Sequence, residues 1–379
     1  MEFRDLKKQY QVLKGDMDAA MQKVATDCNF ISGAQVAELE SELAEYVGAK
    51  HCISCANGTD ALYIAMMVWG FGPGDAVFVP DFTFFSSGEI VSHCGATPIF
   101  VDVNEKTFNL DPDALRRAIA KAKTRGDVTP KAVVAVDLFG LPADNLVIKK
   151  ICEENGLLLL EDGAQGFGGS INGKKNCSFG DISTTSFFPA KPLGCYGDGG
   201  AVFTDNDEWA DLARSIRVHG KGAMKYDNVR IGLNSRLDTI QAAILQVKFK
   251  AFKDYELDKV NEAAAMYDKA LAGAEDLFDT PFIPEGFVSS WAQYTIRLKD
   301  ASKRDALKDA LKAKGIPSMV YYPKPMHKQL AFGLPEGPDY GCPVTEKLCS
   351  NVLSLPMHPY LTQEDVDKVA GEIFAFFGR

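Results

Sequence analysis

Leu157-Leu158-Leu159-Leu160-Glu161-Asp162 is a short apolar run closed by two carboxylates. A run this brief and unbroken reads as a strand buried on both faces, as in the interior of a parallel sheet. Sheets of that kind bind ligands beyond the carboxyl ends of their strands, which is where Asp162 falls. Comparable runs occupy 52–55, 77–80, 99–103, 132–136, 182–187 and 201–203, with 157–161 among them. Helical patterns at 59–68, 86–94, 112–122 and 145–154 alternate with these runs. The alternation predicts an α/β fold: a mostly parallel sheet sandwiched by helices.

Farther along, residues 236 to about 271 carry almost no Gly or Pro and are rich in Ala, Lys and Leu, so they read as one long helix or two abutting ones. A strand at 291–298, a helix at 303–314, a strand at 317–322 and helices at 345–353 and 363–377 follow, with a surface loop at 333–343. These make a smaller α+β C-terminal domain. With 379 residues to accommodate, the expected division is a large domain over 1–245, including an N-terminal helical segment, and a small one over 246–379.

A net charge of −10 argues against general binding to nucleic acid or to anionic membranes. The N-terminus lacks the apolar core of a signal peptide and no apolar run reaches the roughly eighteen residues of a membrane span, so a cytoplasmic location is expected. The nine cysteines are scattered and fit reduced thiols. Cys52 and Cys55 form a lone C-x-x-C inside a strand pattern, with no second pair to complete a metal site, and no metal is expected.

The chemistry gathers around Lys191, in Ser186-Phe187-Phe188-Pro189-Ala190-Lys191-Pro192-Leu193-Gly194. A lysine amine can form a Schiff base with an aldehyde cofactor, and a carboxylate such as Asp162 can keep a pyridine nitrogen protonated, so the pair points to pyridoxal 5'-phosphate. Asn57-Gly58-Thr59 stands at a strand-to-helix junction, where free N–H groups and the helix dipole favour a phosphate, although Asn and Thr also serve as plain helix caps. Ser186 offers a further hydroxyl. Phe84 follows a strand and can stack on a cofactor face or simply fill the core. Gln165 can hydrogen-bond a ring oxygen or cap a turn. Gly197–Gly200 reads as a tight structural turn. Arg236 reads as a cation at the start of the long helix, where the dipole disfavours it, which suggests another partner. Tyr321-Tyr322-Pro323 and Met326-His327 close a strand that can reach a cleft between domains.

Taken together these stretches resemble the DegT/StrS sugar aminotransferases, a branch of the fold-type-I pyridoxal-phosphate enzymes. The likeness runs from Phe30-Ile31-Ser32-Gly33 through Ala56–Leu62, Glu161–Gln165, Thr185–Lys191, Gly197–Ala201 and Asn234–Asp238 to Tyr322-Pro323. Within that family the chain is most similar to the UDP-2-acetamido-2-deoxy-3-oxo-glucuronate 3-aminotransferases, notably at 52–62, 185–200 and 353–361. The resemblance implies a seven-stranded, mostly parallel sheet, Lys191 as the Schiff-base lysine and Asp162 as the pyridine partner. It further implies Gln165 at the ring oxygen, Phe84 as the stacking ring, and Gly58, Thr59 and Ser186 around the phosphate. Asn234 would reach that phosphate from a neighbouring subunit, making a homodimer with shared sites, and Arg236, Tyr321 and Tyr322 would contact the sugar. L-glutamate and a nucleotide-linked ketosugar are the implied substrates, for surface-polysaccharide (O-antigen) biosynthesis. Two departures stand out: Tyr321 replaces the subgroup's His, and Gly163 replaces an alanine, the latter expected to be nearly neutral. Other readings are an aminotransferase for 4-keto-6-deoxy or other 3-keto sugars, a dehydratase, which Lys191 argues against, and a non-catalytic cofactor-binding regulator.

Overall fold

The computed structural model describes residues 1–224, 226–334 and 340–379. Its centre is a seven-stranded sheet of β1 (His51–Cys55), β2 (Asp75–Pro80), β3 (Thr97–Val101), β4 (Thr129–Val136), β5 (Leu158–Asp162), β6 (Ile182–Ser186) and β7 (Gly200–Thr204), in the spatial order β1-β7-β6-β5-β4-β2-β3. β7 alone runs against its neighbours β1 and β6, and the pairings of β6 through β3 are parallel. The leucine run lies at mid-sheet, with Leu159 and Leu160 fully buried on opposite faces.

Alternation along β5 sends its two terminal carboxylates to different work. Glu161 is fully buried and accepts from the N–H groups of Cys177 (2.7 Å) and Phe179 (2.8 Å) and from the Ser183 hydroxyl (2.7 Å). It thereby anchors the turn that feeds β6. Burial, reinforced by the charge of Glu161, pushes the adjacent Asp137 carboxyl well above the usual carboxylate range. Asp162 is left facing the carboxyl edge of the sheet.

The helices fall where the sequence predicts, at Gly58–Trp69, Ser86–His93, Pro112–Lys123 and Asn145–Asn155. The predicted strand at 99–103 lies two residues earlier, at Thr97–Val101. A helix at Asp207–Ile216, capped by the Asn206 side chain on the Trp209 N–H, was not anticipated. The long helix is two segments, Thr239–Ala251 and Leu257–Ala270, joined through a wide turn at Phe252–Glu256. It begins at Thr239, preceded by an extended Asp238 whose side chain makes no capping bond, so Arg236 is not in the first turn and does not oppose the dipole. The 245/246 boundary falls inside the first of these segments.

A second buried core, built from Val260, Tyr267, Tyr294, Leu353, Ile373 and their neighbours, belongs to the C-terminal part. There the expected strand at 317–322 is a single bridge, Met319 to Ser354, and the helix expected to reach 353 ends at Asn351, where the strand Val352–Leu355 begins. The chain from 316 to 323 instead turns toward the large sheet. Of the expected loop at 333–343, residues 335–339 lie outside the described residues. Among the described residues no helix is long and apolar enough to cross a membrane. Cys52 packs with Leu39 and Phe203, whereas Cys55 packs with Ile53 and Leu62 on the other face of β1, so the C-x-x-C is split by the sheet.

One buried ion pair ties the two parts together. The Asp81 carboxylate accepts from the His327 backbone N–H (2.8 Å) and meets His327 Nδ1 at 2.6 Å, with Glu346 beyond Nε2 at 3.3 Å. Burial alone would lower the imidazole pKa, and the two carboxylates outweigh it, so the net shift is upward. His327→Ala is expected to cost about 3 kcal/mol near pH 6, because it strands a buried carboxylate. The imidazolium share of that stability is whole below the ordinary value of 6.5 and fades as pH rises through the raised folded value. The gap between wild type and variant in urea denaturation should therefore narrow as pH rises above 6.5 and through the raised folded value, and a pH-independent gap would contradict the assignment.

Candidate active site

At the carboxyl edge of the sheet lies a cavity of about 720 Å³. Gly58, Thr59, Phe84, Asp162, Gln165, Ser186, Lys191, Tyr321 and Tyr322 all line it, so the structure brings these sequence-predicted residues together. Asn234 and Arg236 are not among its walls in a single chain. Their segment nevertheless runs beside it, since the Ser235 hydroxyl accepts from the Ala56 N–H at 3.0 Å, one residue before Asn57.

The anion-binding corner is made by close backbone approach. Asn57 is extended (φ −166°, ψ 170°), and its side chain caps the helix Gly58–Trp69 by accepting from the Asp60 N–H at 2.8 Å. The first N–H groups of that helix are left without intrahelical partners. Thr59 and Ser86 share a hydrogen bond of 2.7 Å, which places two hydroxyls at the same corner. A Cβ on Gly58 would lie 2.6 Å from the Ser186 Cβ, so only glycine lets the helix start sit against β6. Gly200, read from sequence only as part of a turn, matters as much: a Cβ there would lie 2.4 Å from the Asn57 carbonyl oxygen.

Opposite that corner, Asp162 is 4 % exposed and accepts from the Ser87 hydroxyl (2.8 Å) and the Ala164 N–H (3.2 Å). Burial raises its pKa, opposed by those two bonds and by the charge of Lys191. Burial lowers the pKa of the Lys191 amine, with Asp162 opposing and Arg4 adding to the fall. Gln165 is pinned at both ends: its Oε1 accepts from the Phe139 N–H (2.7 Å), and its Nε2 donates to the Tyr322 hydroxyl (3.0 Å), leaving one N–H of the amide for another acceptor. Burial drives the Tyr322 phenol upward, so it stays protonated.

Phe84 is no core residue. Its ring is 55 % exposed on the cavity wall, 6.4 Å from that of Tyr322. Phe188, Asp198 and Lys324 also line the cavity and were not singled out in sequence. Nothing in their spacing marks them, although Phe188 lies inside the lysine stretch. Ser87 was read only as part of a helix start, and its bond to Asp162 is visible only in three dimensions. The expectation that Gly163 is nearly neutral needs correction: a Cβ there would lie 2.5 Å from the buried Cys177 Sγ, so an alanine requires that thiol to turn away.

Together these features make a site for an anionic cofactor beside a reactive amine and a buried carboxylate. Residues 11–374 match the DegT/DnrJ/EryC1/StrS aminotransferase family, and the chain belongs to it. It is 45% identical over 361 residues to the UDP-2-acetamido-2-deoxy-3-oxo-D-glucuronate aminotransferase of Pseudomonas aeruginosa, covering 95% of this chain and 96% of the relative. It is 40% identical to a UDP-N-acetyl-3-dehydro-alpha-D-glucosamine 3-aminotransferase of Acidithiobacillus ferrooxidans, covering 97% and 95%. A crystal structure of a DegT DnrJ EryC1 StrS aminotransferase from Brucella abortus superposes with a TM-score of 0.94 at 47% identity, with both chains fully covered.

Gly200→Ala pushes against backbone rather than a movable side chain. It is expected to cost about 1–3 kcal/mol in thermal or urea denaturation, and Ala201→Gly, one residue along the same strand, serves as the control for strand weakening alone. Equal effects of the two changes would show that the Asn57 contact is not what requires the glycine.

Proposed function

We propose that this protein uses pyridoxal 5'-phosphate to transfer an amino group from L-glutamate to a nucleotide-linked ketosugar, UDP-2-acetamido-2-deoxy-3-oxo-glucuronate, in the cytoplasm and for surface-polysaccharide biosynthesis. One observation carries this reading: a single cavity joins the Lys191 amine, the buried Asp162 carboxylate and an N-terminal helix corner with the Thr59, Ser86 and Ser186 hydroxyls. That donor set fits the cofactor's aldehyde, ring nitrogen and phosphate, and the glycine-dependent approach at residue 58 leaves the corner open to a phosphate.

When bound, pyridoxal phosphate supplies an electron sink for the pair left on a substrate carbon that loses its proton. The chain's own residues do the rest. Gly58, Thr59 and Ser186 hold the phosphate, Gln165 offers its remaining N–H to the ring oxygen, and Phe84 covers a ring face. Asp162, fixed by Ser87, serves the pyridine nitrogen. Lys191 Nζ would take the proton from the amino donor's α-carbon and deliver it to the cofactor's former aldehyde carbon, and would carry a proton the other way in the ketosugar half, a task for the neutral amine. The burial that lowers its pKa enlarges that neutral fraction at neutral pH.

Two copies sharing their sites is the assembly we propose. Ile231 and Met224 are 88% and 72% exposed on the segment that leads into Asn234, an apolar surface suited to a second copy. Asn234 then serves the neighbour's phosphate, while Arg236, Tyr321 and Tyr322 meet the sugar, with the guanidinium on its C6 carboxylate. The division into 1–245 and 246–379 is proposed likewise, with the second core in the smaller part.

Glutamate alone should convert the visible absorbance of the loaded enzyme to that of the aminated cofactor, and Lys191→Ala should abolish turnover. A loaded enzyme that glutamate leaves spectrally unchanged would instead support a cofactor-binding regulator. Arg236→Ala should raise KM for the 3-keto uronate roughly tenfold or more, the loss of one charge-assisted pair. Better turnover of a 4-keto-6-deoxy sugar, with no effect of Arg236→Ala, would remove the uronate assignment.

A further inference from the structure

The segment ahead of the first helix, Leu6–Asp27, runs behind the lysine loop rather than away from it. Arg4 Nη2 donates to the backbone carbonyl of Lys191 at 3.0 Å and to that of Pro192 at 3.3 Å. The Lys191 N–H is already used within its own turn, on the Phe188 carbonyl at 2.9 Å, and Pro192 has no N–H to give. Arg4 therefore supplies the outside restraint on the two residues from which the amine projects.

Arg4 is itself held on several sides. The Phe3 carbonyl accepts from the Met357 N–H at 3.0 Å, the Phe3 ring meets Tyr321 edge-on at 6.3 Å, and Asp5 caps the helix through the Lys8 N–H at 2.8 Å. Below the guanidinium lies a buried polar cluster. Glu256 accepts from Gln9 Nε2 (2.9 Å) and from the Tyr360 hydroxyl (2.5 Å), with Lys248 and His358 buried nearby. Burial lowers the Arg4 pKa to about 10, opposed by Glu256 and Tyr360, so the group remains a cation at neutral pH. Its Nη1 is buried with no hydrogen-bond partner among the described residues. A guanidinium kept there at that cost is not placed for its own stability.

We infer that Arg4 is a positioning residue for Lys191: it fixes the backbone that carries the reactive amine and sets a permanent positive charge behind it. The inference rests on the proposed role of Lys191. The titratable groups facing this pair are Asp162 from the end of β5, Glu256 from the wide turn, Lys248 from the long helix, and Tyr360 and His358 from the C-terminal segment. Burial pushes Lys248 down to about 8 and His358 down to about 4, so at pH 7 His358 is neutral and Lys248 is still largely a cation, while Arg4 keeps its charge at the alkaline pH where Lys248 loses its own. Arg4 favours the uncharged amine at Lys191, against the pull of Asp162.

The test separates charge from geometry. Full-length protein freed of cofactor is pulse-labelled across pH with a reagent that reacts only with neutral amines, and the Lys191 peptide is quantified by mass spectrometry. Arg4→Met should move the half-labelling point of Lys191 to higher pH, whereas Arg4→Lys, which keeps the charge, should stay near wild type. In the loaded enzyme, Arg4→Met should turn over roughly tenfold more slowly at neutral pH and recover at alkaline pH, its acidic limb displaced upward. Arg4→Lys should lose rate without that displacement, since a shorter and more strongly hydrated ammonium reaches the two carbonyls less well than the single Nη2 that now bonds both. If Arg4→Met does not fold, Arg4→Gln carries the same comparison. An unchanged Lys191 labelling profile in the neutral variant, or the same displacement in Arg4→Lys, would overturn the inference. A borohydride-reduced cofactor label on a peptide without Lys191 would instead remove the proposed site chemistry, and the labelling comparison would still report on Arg4.

Discussion

Glu161 at the end of β5 is the interaction on which the rest of the site depends. Its carboxylate is fully buried and collects donors from the turn at 177–183, which delivers the chain into β6. β6 carries Ser186 at its end, and the loop beyond it carries Lys191. Burial and the charge of Glu161 push the neighbouring Asp137 carboxyl upward, which disfavours a second negative charge beside the first. One residue on, Asp162 points the other way. The same two-residue step therefore supplies a structural anchor and a chemical group.

The site is shaped by how closely its backbones approach. Gly58 against Ser186 and Gly200 against Asn57 bring the helix corner, β6 and β7 nearer than side chains would permit. Ser87 then fixes Asp162, the Tyr322 hydroxyl fixes Gln165, and Arg4 holds the lysine loop. Most of these partners come from remote parts of the chain. The Asp81–His327 pair draws the C-terminal part against the same edge, so the tyrosines at 321 and 322 become walls of the cavity.

Much of this was legible in the sequence, because strand interiors and helix caps announce themselves locally. The seven runs became the seven strands, and the Lys191, Asp162 and Asn57–Thr59 motifs met in one cavity. The helix at Asp207–Ile216 carries local signals as well, Asn206 as a cap and two acids in its first turn. The strand Val352–Leu355 was hidden because it follows a helix without a break, so an apolar continuation looked helical. Ser87, Gly200 and Arg4 could not be read, since each acts on a residue far along the chain and no local pattern encodes that distance. Arg236 was misplaced for a simpler reason: the helix starts three residues later, at Thr239, and Asp238 at the position before it makes no side-chain capping bond.

Cys52 and Cys55 show what a strand does to spacing. Residues an odd number of positions apart on a strand are separated by the thickness of the sheet, so a C-x-x-C that would close a small ring in a turn is here two unrelated sulfurs. Burial raises both thiols, Cys55 to about 12, which leaves almost no thiolate for oxidants or alkylating reagents to attack. A letter pattern that signals electron exchange elsewhere is chemically silent in this chain, and its silence follows from parity alone.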